Sequence, residues 1–226
     1  EGVWPDKMVP LLGVIRDLPA IEIIGLGTNL TCYGGVLPTE DNLSRLVELA
    51  REAERHLGKP LEIISGGNSS SLPLLLAGRI PEGINQLRIG ETILIGNNVN
   101  ERKPFPGTYQ DTFILEAEIV ELKIKPSVPI GKRGYDAFGR PTEFADKGEI
   151  WRAILAVGEQ DIAIDGLVPQ IEGVEILGGS SDHLLLDLSP VKGDYQVGDT
   201  MAFSLNYEAL LHASTSPYVA KVVVKG

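Results

Sequence analysis

The chain has 226 residues, of which 43% are hydrophobic, enough to bury a sizeable core as one large domain or two ordinary ones. A formal charge of -11 with no compensating run of Lys or Arg excludes a nucleic-acid partner, and the single cysteine, Cys32, excludes an internal disulfide framework. His56, His183, His212 and Cys32 show no metal-ligand spacing, and without a signal-like or long apolar span the sequence reads as cytoplasmic and not membrane-bound.

The sequence begins at Glu1 without an initiator Met and enters an amphipathic stretch at once, with Met8, Val9, Leu11, Leu12 and Ile15 at helical spacing. An internal start is the expectation: a fragment, a cleaved product or a chain whose earlier residues are missing. A strand follows at 21–27, then a polar tip ending at Pro38, then a helix from Glu40 to Leu57. Thr39 or Asp41 can cap that helix, Leu43, Leu46, Val47 and Leu49 share one face, and Gly58 with Pro60 stops it. A strand at 61–65, a short helix at 72–77 and a strand at 85–89 complete a βα, βα, β run. A short apolar strand, a polar tip and a helix form the repeating unit of a parallel α/β fold, whose chemistry collects at the carboxyl ends of the strands. Only about three strand units fit before residue 100, whereas a closed (β/α)8 barrel needs about eight, so a barrel requires roughly half to be missing.

From Phe105 the texture changes. Short β-branched or alternating runs at 112–125, 151–158, 184–188, 200–205 and 218–225 are separated by Gly, Pro, Asp and Ser, which is the pattern of an antiparallel β domain. NNVNERKPFPG, near 98–107, has linker composition, so the expected domains are residues 1–100 and 101–226.

Several residues in the tips could carry chemistry. GLGTN (25–29) is half of a dinucleotide fingerprint, but Leu30 stands where a third glycine belongs and no helix follows at once. Asn29 can hydrogen-bond a planar ligand or simply form a turn. SGGNSSS (65–71) lets backbone approach a ligand and suits a phosphate, or caps the next helix; it lacks the Gly-Lys-Ser ending of an NTP loop. Arg88, a fixed cation inside Leu87-Arg88-Ile89, is either a ligand anchor or a solvated edge residue. Asp182-His183 invites a Ser-His-Asp reading, but no G-x-S-x-G elbow exists and adjacent strand residues point to opposite faces. Tyr207 lies just past a strand, equally consistent with packing.

In this order GTNLTCYGG (27–35), SGGNSS (65–70), LRIGE (87–91), KRGYDAFGRPTEF (132–144) and SSDHLLLDL (180–188) resemble the pyridoxal-phosphate (PLP) enzymes of the alanine racemase fold, most of all the ornithine racemase branch. The resemblance covers essentially the whole chain. It implies a fold of α/β plus β: about the second half of a PLP-binding (β/α)8 barrel followed by an antiparallel β domain. It implies that Arg88 faces the pyridine nitrogen of PLP, keeping that nitrogen unprotonated and favouring return of a proton to Cα over side reactions. Ser69 matches the family's phosphate-binding serine, and the backbone amides of Gly90 and Glu91 complete the phosphate cradle. Tyr207 matches a tyrosine that hydrogen-bonds the same phosphate. Asn29 occupies the place of a family histidine beside the ring.

Two departures from the family pattern stand out. The lysine that bonds the cofactor lies on the first barrel strand, in a part this chain lacks. Where alanine racemases have a catalytic tyrosine in Gly-Tyr-Ala-Asp, this chain reads Val157-Gly158-Glu159-Gln160-Asp161. Racemisation needs an acid/base group on each face of the substrate's Cα. The expected second base is His183, with Asp182 orienting it or holding a cationic substrate side chain, and with Glu159 as rival. Ornithine fits the carboxylates Asp161 and Asp182, a choice driven more by the family than by those residues. The resemblance also implies a head-to-tail homodimer with a shared active site. The alternatives are a PLP amino acid decarboxylase of the same fold and a non-catalytic PLP-binding homeostasis protein.

Overall fold

The computed structural model describes residues 2–136 and 138–224. It divides into two compact units, Glu1–Gln110 and Asp111–Gly226.

The first unit opens with a 3-10 turn (Pro5–Lys7) running into α1 (Met8–Ile15), followed by β1 (Gly25–Gly27) and α2 (Glu40–Leu57). Then come β2 (Ile63–Asn68), a 3-10 turn (Ser69–Ser71), α3 (Leu72–Leu76), β3 (Gln86–Arg88), α4 (Glu91–Ile95), β4 (Asn97–Asn98) and β5 (Lys103–Pro104). β1, β2 and β3 form a parallel sheet in chain order, with Gly27 opposite Ser65 and Asn68 opposite Arg88. The sequence of α2 explains both of its ends. The Thr39 hydroxyl accepts from the Asn42 amide at 3.2 Å while the Asn42 side chain accepts from the Thr39 amide at 2.9 Å, a reciprocal capping box. Gly58 closes the helix at φ 72, a left-handed conformation that glycine adopts without steric cost. One face of α2 (Leu46, Leu49, Ala50, Ala53) packs with Met8 and Leu12 of α1 and with Leu61 and Ile64 beside and within β2. Each such Leu or Met contributes roughly 1.5–3 kcal/mol when fully buried.

Residues 101–110 fold back onto this unit instead of leaving it. β5 pairs antiparallel with β4, the Phe105 amide donates to the Gly96 carbonyl at 2.7 Å, and the Thr108 hydroxyl donates to the same carbonyl at 2.9 Å. The division therefore falls after Gln110, beyond the linker-like composition at 98–107.

The second unit holds β6 (Ile114–Pro126), β7 (Glu149–Leu155), β8 (Leu167–Pro169), β9 (Glu175–Gly179), β10 (Leu184–Asp187), β11 (Thr200–Leu205) and α5 (Tyr207–Thr215). The strands form one antiparallel sheet in the order β8-β11-β6-β7-β10-β9. Alternation on β6 buries Leu115, Ala117 and Ile119 and exposes Glu116 and Glu118. The buried side joins Leu155, Ile162, Leu184, Leu186, Leu188, Met201 and Phe203 in a single core.

Two elements differ from the sequence expectation. The stretch 207–215, to which the sequence assigned no element beyond placing Tyr207 just past a strand, is α5, with the Asn206 side chain accepting from the Ala209 amide at 2.8 Å as its cap. The strand expected at 218–225 is not formed: residues 218–224 join no ladder and Val222, Val223 and Val224 are exposed, while Lys225 lies outside the described residues. β-branched composition favours a strand only where a neighbouring strand offers its hydrogen-bonding edge.

Candidate functional site

The carboxyl ends of β1, β2 and β3 meet at Arg88. Its guanidinium donates through Nη1 to the Ser65 hydroxyl at 2.5 Å and through Nη2 to the Thr28 carbonyl at 2.8 Å, bridging all three strands. Arg88 is exposed and has no carboxylate partner among the described residues. A guanidinium held only by neutral acceptors keeps its full charge available to an outside acceptor.

One residue past the Asn68–Arg88 pair, the Ser69 hydroxyl accepts from the Gly90 amide at 3.2 Å and the Thr92 amide at 3.4 Å. Two backbone N–H groups therefore converge on one buried hydroxyl, an arrangement suited to an anion's oxygen atoms. Asn68 organises the approach: its amide nitrogen donates to the Asn29 side chain at 2.8 Å and to the Leu30 carbonyl at 2.7 Å, and its oxygen accepts from the Ser70 amide at 2.8 Å. The Asn29 amide nitrogen is left as an exposed donor among the described residues. The Glu91 side chain turns instead to Arg102 at 3.1 Å, and burial pushes its carboxyl up against the opposing pull of that guanidinium. The amide that joins Gly90's on Ser69 belongs to Thr92, not Glu91.

In the second unit, the turn between β9 and β10 carries Asp182 and His183. Asp182 Oδ1 lies 3.0 Å from the Ser181 hydroxyl and 3.3 Å from both the Ser180 hydroxyl and His183 Nδ1. The Ser181 hydrogen bond, then the His183 charge, hold the Asp182 carboxyl below its usual range. Strand alternation does not separate this pair because both residues sit in the turn before β10 begins at Leu184. The serines contact Asp182, so no hydroxyl is presented to the imidazole as a nucleophile.

Glu159 follows β7 at a tip clasped to that turn. The Glu159 amide donates to the Ser180 carbonyl at 3.0 Å and the Gln160 amide to the Ser181 carbonyl at 2.9 Å. Gly158 makes the close approach possible, since a Cβ there would stand 2.4 Å from the Asp182 amide nitrogen. The Glu159 carboxylate accepts from Arg140 Nη2, and Arg140 Nε donates to Asp136 at 2.8 Å. These two carboxylates, Glu159 first, push the Arg140 guanidinium's pKa still higher.

One expectation changes here. Asp161 is not free for a cationic substrate: it is 5% exposed and accepts from the Ser216 hydroxyl at 2.5 Å, anchoring the end of α5. Tyr207 is the first residue of α5, half-buried, and its hydroxyl has no hydrogen bond among the described residues. Sequence reasoning missed Ser65, Asn68 and Thr92, although Ser65 and Asn68 lie within the SGGNSSS stretch that it singled out. It also missed Arg140, whose partner Glu159 is distant along the chain.

Among the described residues no group of His, Cys, Asp or Glu could hold a metal ion, and no helix is long and apolar enough to cross a membrane. No family model matches the sequence. The chain is 48% identical over 222 residues to a lysine racemase of Thermotoga maritima, covering 98% of this chain and 62% of that protein. It is 50% identical over 207 residues to an ornithine racemase of Acetoanaerobium sticklandii, covering 92% of this chain and 59% of that one. The chain thus spans about three fifths of the length of these relatives. Among solved structures, an alanine racemase from Bartonella henselae with covalently bound pyridoxal phosphate superposes with a TM-score of 0.58 at 18% identity, covering 95% of this chain and 56% of that one. A biosynthetic alanine racemase from Pseudomonas aeruginosa gives 0.55 at 17%, covering 96% and 59%. A D-threonine aldolase from Filomicrobium marinum gives 0.56 at 14%, covering 90% and 50%. The chain thus shares about half of its residues with two racemases over nearly its whole length, and its fold is similar to that of the alanine racemases.

Proposed function

We propose that this chain is part of a PLP-dependent amino acid racemase acting on a diamino acid, ornithine or lysine, with the first unit as about the second half of the PLP-binding barrel. β1 and β3 each leave one edge of the parallel sheet unpaired, and Trp4, Val14, Ile21 and Ile24 are exposed, which is what a barrel segment awaiting its neighbours presents. The observation that carries the reading is Arg88, a cation bound only to a hydroxyl and a carbonyl and set beside a hydroxyl on which two amides converge.

These residues fit the two polar ends of PLP. The Ser69 hydroxyl with the Gly90 and Thr92 amides would hold the phosphate, Arg88 would donate to the pyridine nitrogen, and Asn29 would offer its amide beside the ring. Bound PLP would withdraw electrons from the substrate's Cα and so make its proton easier to remove. Arg88 stays charged at any working pH, so it donates without giving up a proton and limits that withdrawal. His183, oriented through Nδ1 by Asp182, would hold or deliver the Cα proton on one face. Glu159 is the weaker candidate because Arg140 already engages its carboxylate. Tyr207 is a further candidate to bond the phosphate, and a head-to-tail homodimer in the cytoplasm would complete a shared site.

The test is Cα proton exchange. The full-length polypeptide, loaded with PLP, is incubated with L-ornithine, L-lysine or L-alanine in deuterated buffer. Incorporation of deuterium at Cα together with the D enantiomer, fastest for a diamino acid, is expected. Release of carbon dioxide, or exchange with none of the three, would overturn the proposal.

A further inference from the structure

Arg140 belongs to none of the groups assigned above, yet its position is built with care. The chain turns tightly around Arg140: Tyr135 bridges Pro141, the Asp136 amide donates to the Arg140 carbonyl at 2.9 Å, and the Gly139 amide donates to the Asp136 carbonyl at 3.2 Å. Asp136 Oδ1 accepts from the Phe138 and Arg140 amides at 2.8 Å, leaving Oδ2 to receive Arg140 Nε. The guanidinium also lies 4.9 Å from the centre of the Phe138 ring. An arginine side chain normally keeps its rotamer freedom at a surface; here the turn, the ring and a carboxylate remove it. Among the described residues, the one hydrogen bond that the Arg140 side chain makes away from its own turn is to Glu159.

Glu159 is fixed from the other side as well, through the backbone clasp to Ser180 and Ser181. Arg140 occupies Oε1, so Oε2 is left without a protein donor among the described residues. A carboxylate has lone pairs for several donors, so the half-buried Glu159 keeps Oε2 as an acceptor for a donor from outside the chain. Asp182, in the turn clasped to Glu159, adds an exposed carboxylate.

We infer that Arg140 is a positioning residue for substrate selection: braced by Asp136, it orients Glu159 so that the free carboxylate oxygen receives the distal ammonium group of a diamino acid. The inference rests on the racemase reading above and adds the residue pair that separates ornithine from its isostere without a side-chain amine, L-norvaline. An oriented carboxylate–ammonium bond favours the charged substrate by about tenfold or more. A carboxylate released from Arg140 loses its fixed direction, and that preference falls.

The experiment compares wild type, Arg140→Gln and Arg140→Lys in the full-length, PLP-loaded protein. For Arg140→Gln the KM of L-ornithine relative to that of L-norvaline is expected to rise about tenfold, with most of the rise reversed in Arg140→Lys. Melting temperatures accompany the kinetics, because a merely structural role would weaken both substrates alike and leave the ratio unchanged, which overturns the inference. A second readout needs no turnover. The carboxyl carbon of Glu159, followed by NMR, is expected to shift on addition of 1,4-diaminobutane in wild type and not in Arg140→Gln. That shift in a protein that exchanges no Cα proton would sustain the inference while the racemase reading fails. An active enzyme showing no shift would remove the inference and leave the racemase reading standing.

Discussion

Alanine at position 158 tests whether the Glu159 tip and the Asp182–His183 turn work as one piece. The added Cβ would stand 2.4 Å from the Asp182 amide nitrogen, 2.5 Å from the Ser181 carbonyl oxygen and 2.6 Å from the Asp182 carbonyl carbon, against the 3.4 Å at which ordinary contact begins. All three are backbone atoms, so no side chain can swing aside. The tip must slide off the turn by about 1 Å, stretching the bonds from the Glu159 and Gln160 amides to Ser180 and Ser181. Overpacking of this kind costs about 1–3 kcal/mol. A displacement of about 1 Å in groups that must meet a substrate costs on the order of a hundredfold in rate. Urea unfolding followed by Trp151 fluorescence, together with the Cα exchange rate, measures both effects. Gly134→Ala is the control, because nothing lies within 4 Å of the Cβ it would add, and its stability is expected within about 0.5 kcal/mol of wild type. A Gly158→Ala protein with the wild-type urea midpoint and exchange rate would refute the close packing of tip and turn.

Other outcomes follow from single contacts. Thr39→Ala removes the hydroxyl half of the α2 capping box and is expected to lower the stability of the first unit by about 1 kcal/mol in denaturant unfolding. Ser69→Ala takes away the oxygen on which the Gly90 and Thr92 amides converge; PLP affinity, read by fluorescence titration, is expected to fall about tenfold, and unchanged affinity would move the phosphate elsewhere. Hydrogen bonds from Lys123, then Lys125, pull the Glu121 carboxyl from 4.5 to about 2. Because this pKa is depressed in the folded state, the stabilisation is fully present above about 4.5 and is lost as pH falls toward about 2. The stability difference between wild type and Glu121→Gln is therefore expected to vanish across that window and to shrink in high salt, since the Lys123 partner is exposed.

What the sequence makes legible is what local chemistry decides. α2 begins and ends where it does because Thr39, Asn42 and Gly58 act within a few residues of one another, and its apolar stripe has a single period. Arg88 stood out because a cation in an apolar strand has few tolerable environments. Pairing across distance is what escaped. Asp161 looks like a free carboxylate until the chain returns with Ser216, and Glu159 looks like a candidate base until Arg140 is set beside it. The run at 218–224 has strand composition but meets no strand. Asp182 and His183 were separated by an alternation rule that applies only inside a ladder, and the ladder starts at Leu184. α5 was hidden because Asn206 reads as the end of β11 as readily as the cap of a helix.

The side chains around Arg88 set a condition on where the proton comes from. Ser65, Asn29, Asn68, Ser69 and Thr92 offer hydroxyls and amides, none of which gains or loses a proton near neutral pH, and the guanidinium never does. Glu91, next to Gly90 in this group, pairs with Arg102. If this cluster holds PLP, it is an inert grip, and the groups that move a proton at Cα must be supplied from elsewhere. A racemase needs one such group for each face. Within this chain His183 is an imidazole with a carboxylate at 3.3 Å to fix its ring. In the full-length protein His183→Asn is therefore expected to abolish inversion while one enantiomer still exchanges its Cα proton for deuterium with retention, since the group on the other face is untouched. Inversion in both directions at the wild-type rate would take the proton away from His183.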